Sequence, residues 1–250
     1  MKNRMNSLVR LLIIGSLMIS LTGCFYWWRA YQTYLQMGEF DDNFSISITE
    51  DFSVRFKQPI LLGDDIITLA KLRPSKEIDT QTGQKWQYIF RKVDQAGNIL
   101  LPETTFYCQL DINADNKVTS VSFSELFLKI APPEFLELSF RSLGSGKIDK
   151  ANRRLKVDTD KISKISADLP LKLAVLAQLG EPLFIEETIE QEVYVYHFKL
   201  EAYDIKKGYE DRALSVVKLS FAKSTEEMTR MAGRFAGLKI SINYKNYQTK

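Results

Sequence analysis

Trp86-Gln87-Tyr88-Ile89-Phe90 carries an aromatic ring at every second position, and Tyr194-Val195-Tyr196-His197-Phe198 does so again at an offset of 108 residues. A period of two belongs to a β-strand, whose alternate side chains leave on opposite faces, so each stretch turns three rings to one side. Such a face needs a cover, and the residues ahead of each strand supply one. Leu69-Ala70-Lys71-Leu72-Arg73-Pro74 and Leu176-Ala177-Gln178-Leu179-Gly180-Glu181-Pro182 read as helix ends, each closed by a proline 12 residues before the first ring. The better defined helix runs from Leu171 to Leu179, with Asp168 placed to cap it, Pro170 suited to its first turn and Gly180 to its stop. Being apolar nearly all round, it is expected to be buried.

Working outward, further matches keep the same order. A second strand is expected around Phe106 to Ile112 and Leu214 to Phe221, and a third at Val118 to Val121 and Met228 to Met231. Leu128-Lys129-Ile130 then returns as Leu238-Lys239-Ile240, with offsets of 107 to 110 throughout. Matches in one order at near-constant spacing read as a structural duplication. The expected fold is α+β: two similar units, each of short helices packed on a three- or four-stranded antiparallel sheet. Ahead of the first triplet, Phe44 to Thr49 and Ser53 to Phe56 read as a strand and its return. Pro132-Pro133 opens an amphipathic helix over Glu134 to Leu143 that stops at Gly144, and Arg153 to Asp158 reads as a strand. The expected limits are 1–23 for an export signal, 24–43 for an aromatic membrane-proximal segment, 44–143 for the first unit, 144–165 for a connector and 166–250 for the second unit.

The amino terminus carries the clearest signal. Residues 1–10 are polar and basic, and Leu11 to Leu21 is an apolar run interrupted by Gly15, Ser16 and Ser20. This run is shorter than the roughly 20 residues that span a bilayer and fits a secretory signal. It ends in Leu21-Thr22-Gly23-Cys24, which resembles the lipobox of bacterial lipoproteins. The resemblance implies cleavage before an acylated Cys24; Phe25 in place of an Asp after the anchor implies transport to the outer membrane. Directly after Cys24 come Phe25, Tyr26, Trp27, Trp28, Tyr31 and Tyr34, including two of the three Trp of the chain. Trp and Tyr favour the membrane interface, so the stretch reads either as an interfacial segment or as a first helix whose rings pack on the domain.

Charge supports the same division. The chain holds 34 Lys+Arg and 31 Asp+Glu, and the excess equals Lys2, Arg4 and Arg10 of the signal. The remainder is neutral, which removes the electrostatic case for a nucleic-acid partner. With Cys24 acylated, Cys108 has no partner for an intramolecular disulfide; on the face of Phe106 and Leu110 it reads as a small core residue rather than a reactive thiol.

A lipobox, a short helix ending in Leu179-Gly180-Glu181-Pro182 and the strand Trp86-Gln87-Tyr88-Ile89-Phe90 together resemble small outer-membrane lipoproteins of the BamE (SmpA/OmlA) type. That resemblance implies a β-lactamase inhibitor protein-like packing of helices on an antiparallel sheet, with a non-catalytic binding role in envelope assembly. The chain departs from those proteins in being about twice as long and in lacking a Gly-Met-Thr-like opening before either helix.

Catalytic and metal motifs do not assemble. His197 is the single histidine, so a Ser-His-Asp, Cys-His or His-based metal site would have to use it, and it reads instead as a half-exposed strand residue. Gly144-Ser145-Gly146-Lys147 ends like a phosphate loop, but Arg141 and Ile148 stand where that loop needs Gly and Ser/Thr. Asp111, Asn113 and Asp115 match three calcium-loop positions, but Asn116 replaces the Gly and Ser122 the Glu, so Asp115-Asn116 reads as a hairpin turn. Asp64-Asp65 reads as a helix start and Glu186-Glu187 as a solvated stretch. No catalytic residue, metal ligand or cofactor is expected. The expected function is a lipid-anchored, periplasm-facing envelope lipoprotein that binds the membrane through its anchor and a protein partner through its body. A carrier of lipid or another apolar ligand is the alternative, and a hydrolase using carboxylates or His197 ranks last.

Overall fold

The computed structural model describes residues 25–49, 51–149, 154–156, 164–235 and 238–248. The export signal and the lipobox residues Leu21, Thr22, Gly23 and Cys24 lie outside the described residues, as does much of the expected connector. In chain order the strands are β1 Phe44–Ile48, β2 Phe52–Phe56, β3 Lys76–Thr80, β4 Gly83–Val93, β5 Thr105–Asn113, β6 Val118–Phe123, β7 Lys147–Asp149, β8 Arg154–Lys156, β9 Phe184–Glu187, β10 Gln191–Leu200, β11 Leu214–Ala222, β12 Met228–Phe235 and β13 Leu238–Asn243. The helices are α1 over 25–36, α2 Phe40–Asn43, α3 Gly63–Ala70, α4 Glu125–Leu128, α5 Pro133–Ser142 and α6 Lys172–Leu179.

The mixed α+β class holds, but the two sets of triplet-bearing strands do not form separate sheets; apart from the small pair β7-β8, the strands join in one. Eleven of them form one antiparallel sheet in the order β1-β2-β6-β5-β4-β10-β11-β12-β13, with β3 beside β4 and β9 beside β10. The two triplet strands meet at its centre, where Phe90 stands opposite Leu200, Arg91 opposite Lys199, Lys92 opposite Phe198 and Val93 opposite His197. All six triplet rings, Trp86, Tyr88, Phe90, Tyr194, Tyr196 and Phe198, are buried, as the two-residue period requires. The short strands β3 and β9, beside β4 and β10, stand where the residue pattern marks no strand. The match of Leu128-Lys129-Ile130 with Leu238-Lys239-Ile240 fails structurally, because the first closes α4 and the second opens β13.

The sheet is curled. In a flat sheet Phe106 of β5 and Phe235 of β12, four strand steps apart, would be separated by roughly 19 Å. Their ring centroids lie 5.7 Å apart, and Phe235 also meets Phe90 at 5.8 Å and Phe127 at 5.9 Å. Strand twist accumulates in one hand, and here it brings the ends toward each other around a core of Phe rings. Helix α5 spans the concavity. Its Phe135 packs on Tyr244 beyond β13 at 4.8 Å, while Phe140 packs on Phe52 of β2 and Phe123 of β6. Tyr244 Oη also donates a hydrogen bond to the carbonyl of Ile130. One continuous hydrophobic cluster results.

The two eight-residue helices α3 and α6 end in the same manner. Lys92 Nζ, from β4, donates to the carbonyls of Leu179 and Glu181 at 2.6 Å each, at the C-terminus of α6. Arg212, just before β11, donates to the carbonyls of Leu69 and Ala70 at 3.1 and 2.9 Å, at the C-terminus of α3. Cations there satisfy orphan carbonyls and oppose the negative end of the helix dipole. Gly180 closes α6 with a positive φ of 67°, as its position predicts. Pro170 precedes that helix, but its N-cap is Leu171, not Asp168, and no side chain caps it.

The expected burial of α6 is only half right. Val175 and Leu179 face the sheet and are buried, whereas Leu171, Leu173, Ala174 and Ala177 are exposed. A helix on one face of a sheet is covered on one side only, and among the described residues no further layer lies over α6.

Two substitutions test these contacts. Lys92→Met should lower stability by about 2 kcal/mol, because it leaves two carbonyls at a helix end without their charged donor; urea unfolding of the full chain measures this, and an unchanged midpoint would refute it. At Gly144 an added Cβ would lie 2.0 Å from the carbonyl oxygen of Met37. Gly144→Ala should therefore force the turn after α5 away from the end of α1, at a cost of about 1–3 kcal/mol, with a matching drop in thermal midpoint.

Candidate functional surfaces

Helix α1 follows from residues 25–36 having neither Gly nor Pro, and its mounting follows from their polar members. Arg29 is the only charged residue between 25 and 38. Its guanidinium donates from Nε and Nη2 to the two carboxylate oxygens of Asp65 at 2.6 and 2.5 Å. Asp65 is buried in the first turn of α3, where it also accepts from the backbone N–H of Leu62. A two-point fork of this kind fixes direction as well as distance. The hydrogen bonds to Asp65 hold the Arg29 guanidinium above its ordinary value. Tyr34 Oη donates to the carbonyl of Gly146 at 2.6 Å, Gln36 Nε2 donates to that of Gln58 at 3.0 Å, and Thr33 is buried.

These contacts sort the six aromatic residues singled out in the sequence. Tyr34 turns to the body and Tyr26 is partly covered, its ring 5.4 Å from that of Trp27. Phe25, Trp27, Trp28 and Tyr31 point outward with Leu35, each 47–57% exposed. The segment is a helix docked on the domain, and most of its rings do not take part in the docking.

A second apolar surface surrounds α6 and β9. Leu173 is 68% exposed on the helix, and Ile185 on the same side of β9 and Ile189 at the hairpin tip are exposed as well, whereas the exposed Phe184 lies on the opposite face beside His197. Lys172 pairs with Glu192 at 3.3 Å, two residues before the Tyr194 that stands opposite Ile185, so helix and strand border one another. Among the described residues β9 pairs with β10 alone, which leaves its other edge open.

The residues weighed for chemistry have structural roles. The His197 ring meets Phe184 edge-on at 6.2 Å and makes no hydrogen bond to a described residue; burial lowers its pKa and favours the neutral ring. Asp115-Asn116 is the hairpin turn, with Asn116 at a φ of 59° and the Asn113 side chain accepting from the N–H groups of Asp115 and Lys117. Asp111 accepts from Ser120, and Gly146 serves as the acceptor for Tyr34. Glu186 and Glu187 pair with Lys218 and Lys223 at 2.7 and 2.9 Å. Among the described residues no cluster of His, Cys, Asp and Glu has the makings of a metal site, and no helix is long and apolar enough to cross a membrane. A groove beside α1 is open and of mixed character, lined by Gln32, Leu35, Gln36, Asn43, Gln58 and Ile60.

Neither Arg29 nor the α6–β9 surface stood out in the sequence. Arg29 and Asp65 are 36 positions apart and share no motif, and an all-apolar helix reads as buried until its layer is known.

The pair and the thiol can each be tested. Arg29→Ala strips the buried Asp65 of its counter-ion and should cost about 2 kcal/mol, below the range for a fully buried pair because Arg29 keeps some exposure; chemical denaturation of the variant reads the loss. Burial pushes the Cys108 thiol up to about 12. At pH 8 it should react with Ellman's reagent at least a hundredfold more slowly in the folded protein than in urea.

Protein-family models, curated proteins and solved structures offer no match to this chain.

Proposed function

We propose that the chain is a non-catalytic lipoprotein, anchored through Cys24 to the periplasmic side of the outer membrane, that serves as a scaffold or binding module for another envelope protein. The lipobox Leu21-Thr22-Gly23-Cys24 and Phe25 support the anchor and its destination. The observation that carries the binding role is the bared apolar surface of α6 and β9. Leu171, Leu173 and Ile185 are exposed on it, and the open edge of β9 has backbone groups free to pair with an added strand.

The same reading includes a duplicated unit. Its support is the register at the centre of the sheet: at the 108-residue offset, Phe90 corresponds to Phe198 and Lys92 to Leu200, and each pairs with the other's counterpart. Such pairing is two-fold symmetric about Arg91 and Lys199. Each half also caps the other's helix, α6 through Lys92 and α3 through Arg212, although these two cations do not stand at corresponding positions.

A carrier needs a deep apolar cavity. Here the concave side of the sheet is occupied by Phe90, Phe106, Phe127, Phe198 and Phe235, with ring contacts of 4.8–5.9 Å.

In membranes, the Cys24→Ala variant should lose the acyl mass and move to the soluble fraction. A photo-crosslinker at Leu173 or Ala177 should trap one recurring adduct that a crosslinker at exposed Asp204 does not. Equal adduct patterns at all three positions would end the binding-module reading.

A further inference from the structure

Helix α1 reverses the arrangement of an ordinary surface helix. Its single charge, Arg29, points into the protein at Asp65, and its rings point out. Phe25, Trp27, Trp28, Tyr31 and Leu35, at about 100° per residue, fall within about 160° of the helix surface. The uncharged Gln32 completes the arc. A helix standing in water normally turns charged residues outward, so this face calls for a partly apolar neighbour.

The sequence next to the helix identifies that neighbour. Phe25 is already helical and adjoins Cys24, so no linker separates the acylation site from the ring-bearing face. We infer that the outer face of α1 lies along the headgroup region of the bilayer that holds Cys24, and that the Arg29–Asp65 fork makes α1 a mounting plate that sets the orientation of the body on the membrane. The inference rests on the lipid-anchored reading and deepens it. Trp and Tyr suit this depth, since their rings are apolar and their N–H and O–H groups still reach water or headgroups. Twelve helical residues extend about 18 Å, enough to lie along the surface and too short to cross it. The mounting is stiff: besides the fork, Tyr34 is held by Gly146 and Gln36 by Gln58, on either side of the helix. Because the outward face carries no Lys or Arg, contact should depend little on anionic lipid or on salt, unlike that of a basic amphipathic helix.

The chain contains its own probe. Of its three Trp, Trp86 is buried in the core, so a quencher placed in lipid reads Trp27 and Trp28. The mature lipidated protein would be reconstituted in phosphatidylcholine vesicles with or without lipids brominated near the top of the acyl chain, and the mass of the Cys24 peptide measured on the same sample. The expected result is at least a twofold loss of Trp fluorescence with brominated lipid, equal within error at 0.05 and 1 M NaCl. The Trp27→Phe/Trp28→Phe double variant should abolish the loss while keeping the thermal midpoint. An acylated Cys24 with unquenched Trp27 and Trp28 would overturn the orientation and leave the anchor standing. A Cys24 peptide without acyl mass would overturn both.

Discussion

Four residue pairs join β4 to β10, and every other element is placed relative to that seam. On its buried face Phe90 and Phe198 run into the Phe106 and Phe235 cluster, while Lys92 passes across to the end of α6 with its ammonium 5.2 Å from the Tyr196 ring. On the other face Arg91 and Lys199 stand directly opposite each other, a like-charge pairing that would weaken a sheet. Glu103 and Glu201 offset it, each within 3.1 Å of the Arg91 guanidinium. Because both strands continue beyond the overlap, each keeps a short hairpin partner, β3 or β9, along the length the other does not cover. The seam turns what would be two small sheets into one that is wide enough to curl and enclose a core.

The helices α3 and α6, each capped by a cation from the other side of the seam, present different surfaces. α3 lies under α1, so its Asp65 is buried and ion-paired. Among the described residues α6 has no such cover, and its Leu173 stands in solvent. The functional proposals use the two sides of this difference. The covered helix carries the segment next to Cys24 and hence the proposed contact with lipid; the uncovered helix and β9 carry the apolar surface proposed to bind a protein.

Much of the local structure was legible from residue order. The alternating rings of Trp86 to Phe90 and Tyr194 to Phe198 imposed strands because no other backbone puts every second side chain on one face. Gly180 stopped a helix because it takes a positive φ at little cost, and Pro132-Pro133 opened one. Leu128-Lys129-Ile130 and Leu238-Lys239-Ile240 show the limit, since identical triplets became a helix end and a strand according to what lay beside them. Burial of α6 was misread for a related reason: composition states that a helix is apolar, not how many layers cover it.

Near-neighbour chemistry thus specified the triplet strands and the turns, which depend on residues within a few positions of one another. Chain folding settled the union of the two strand sets at β4 and β10, the reach of Lys92 and Arg212 to distant helix ends, and the capture of Arg29 by Asp65. Each of these joins groups tens of residues apart, through hydrogen bonds and ion pairs whose geometry exists only once the chain has closed around its core.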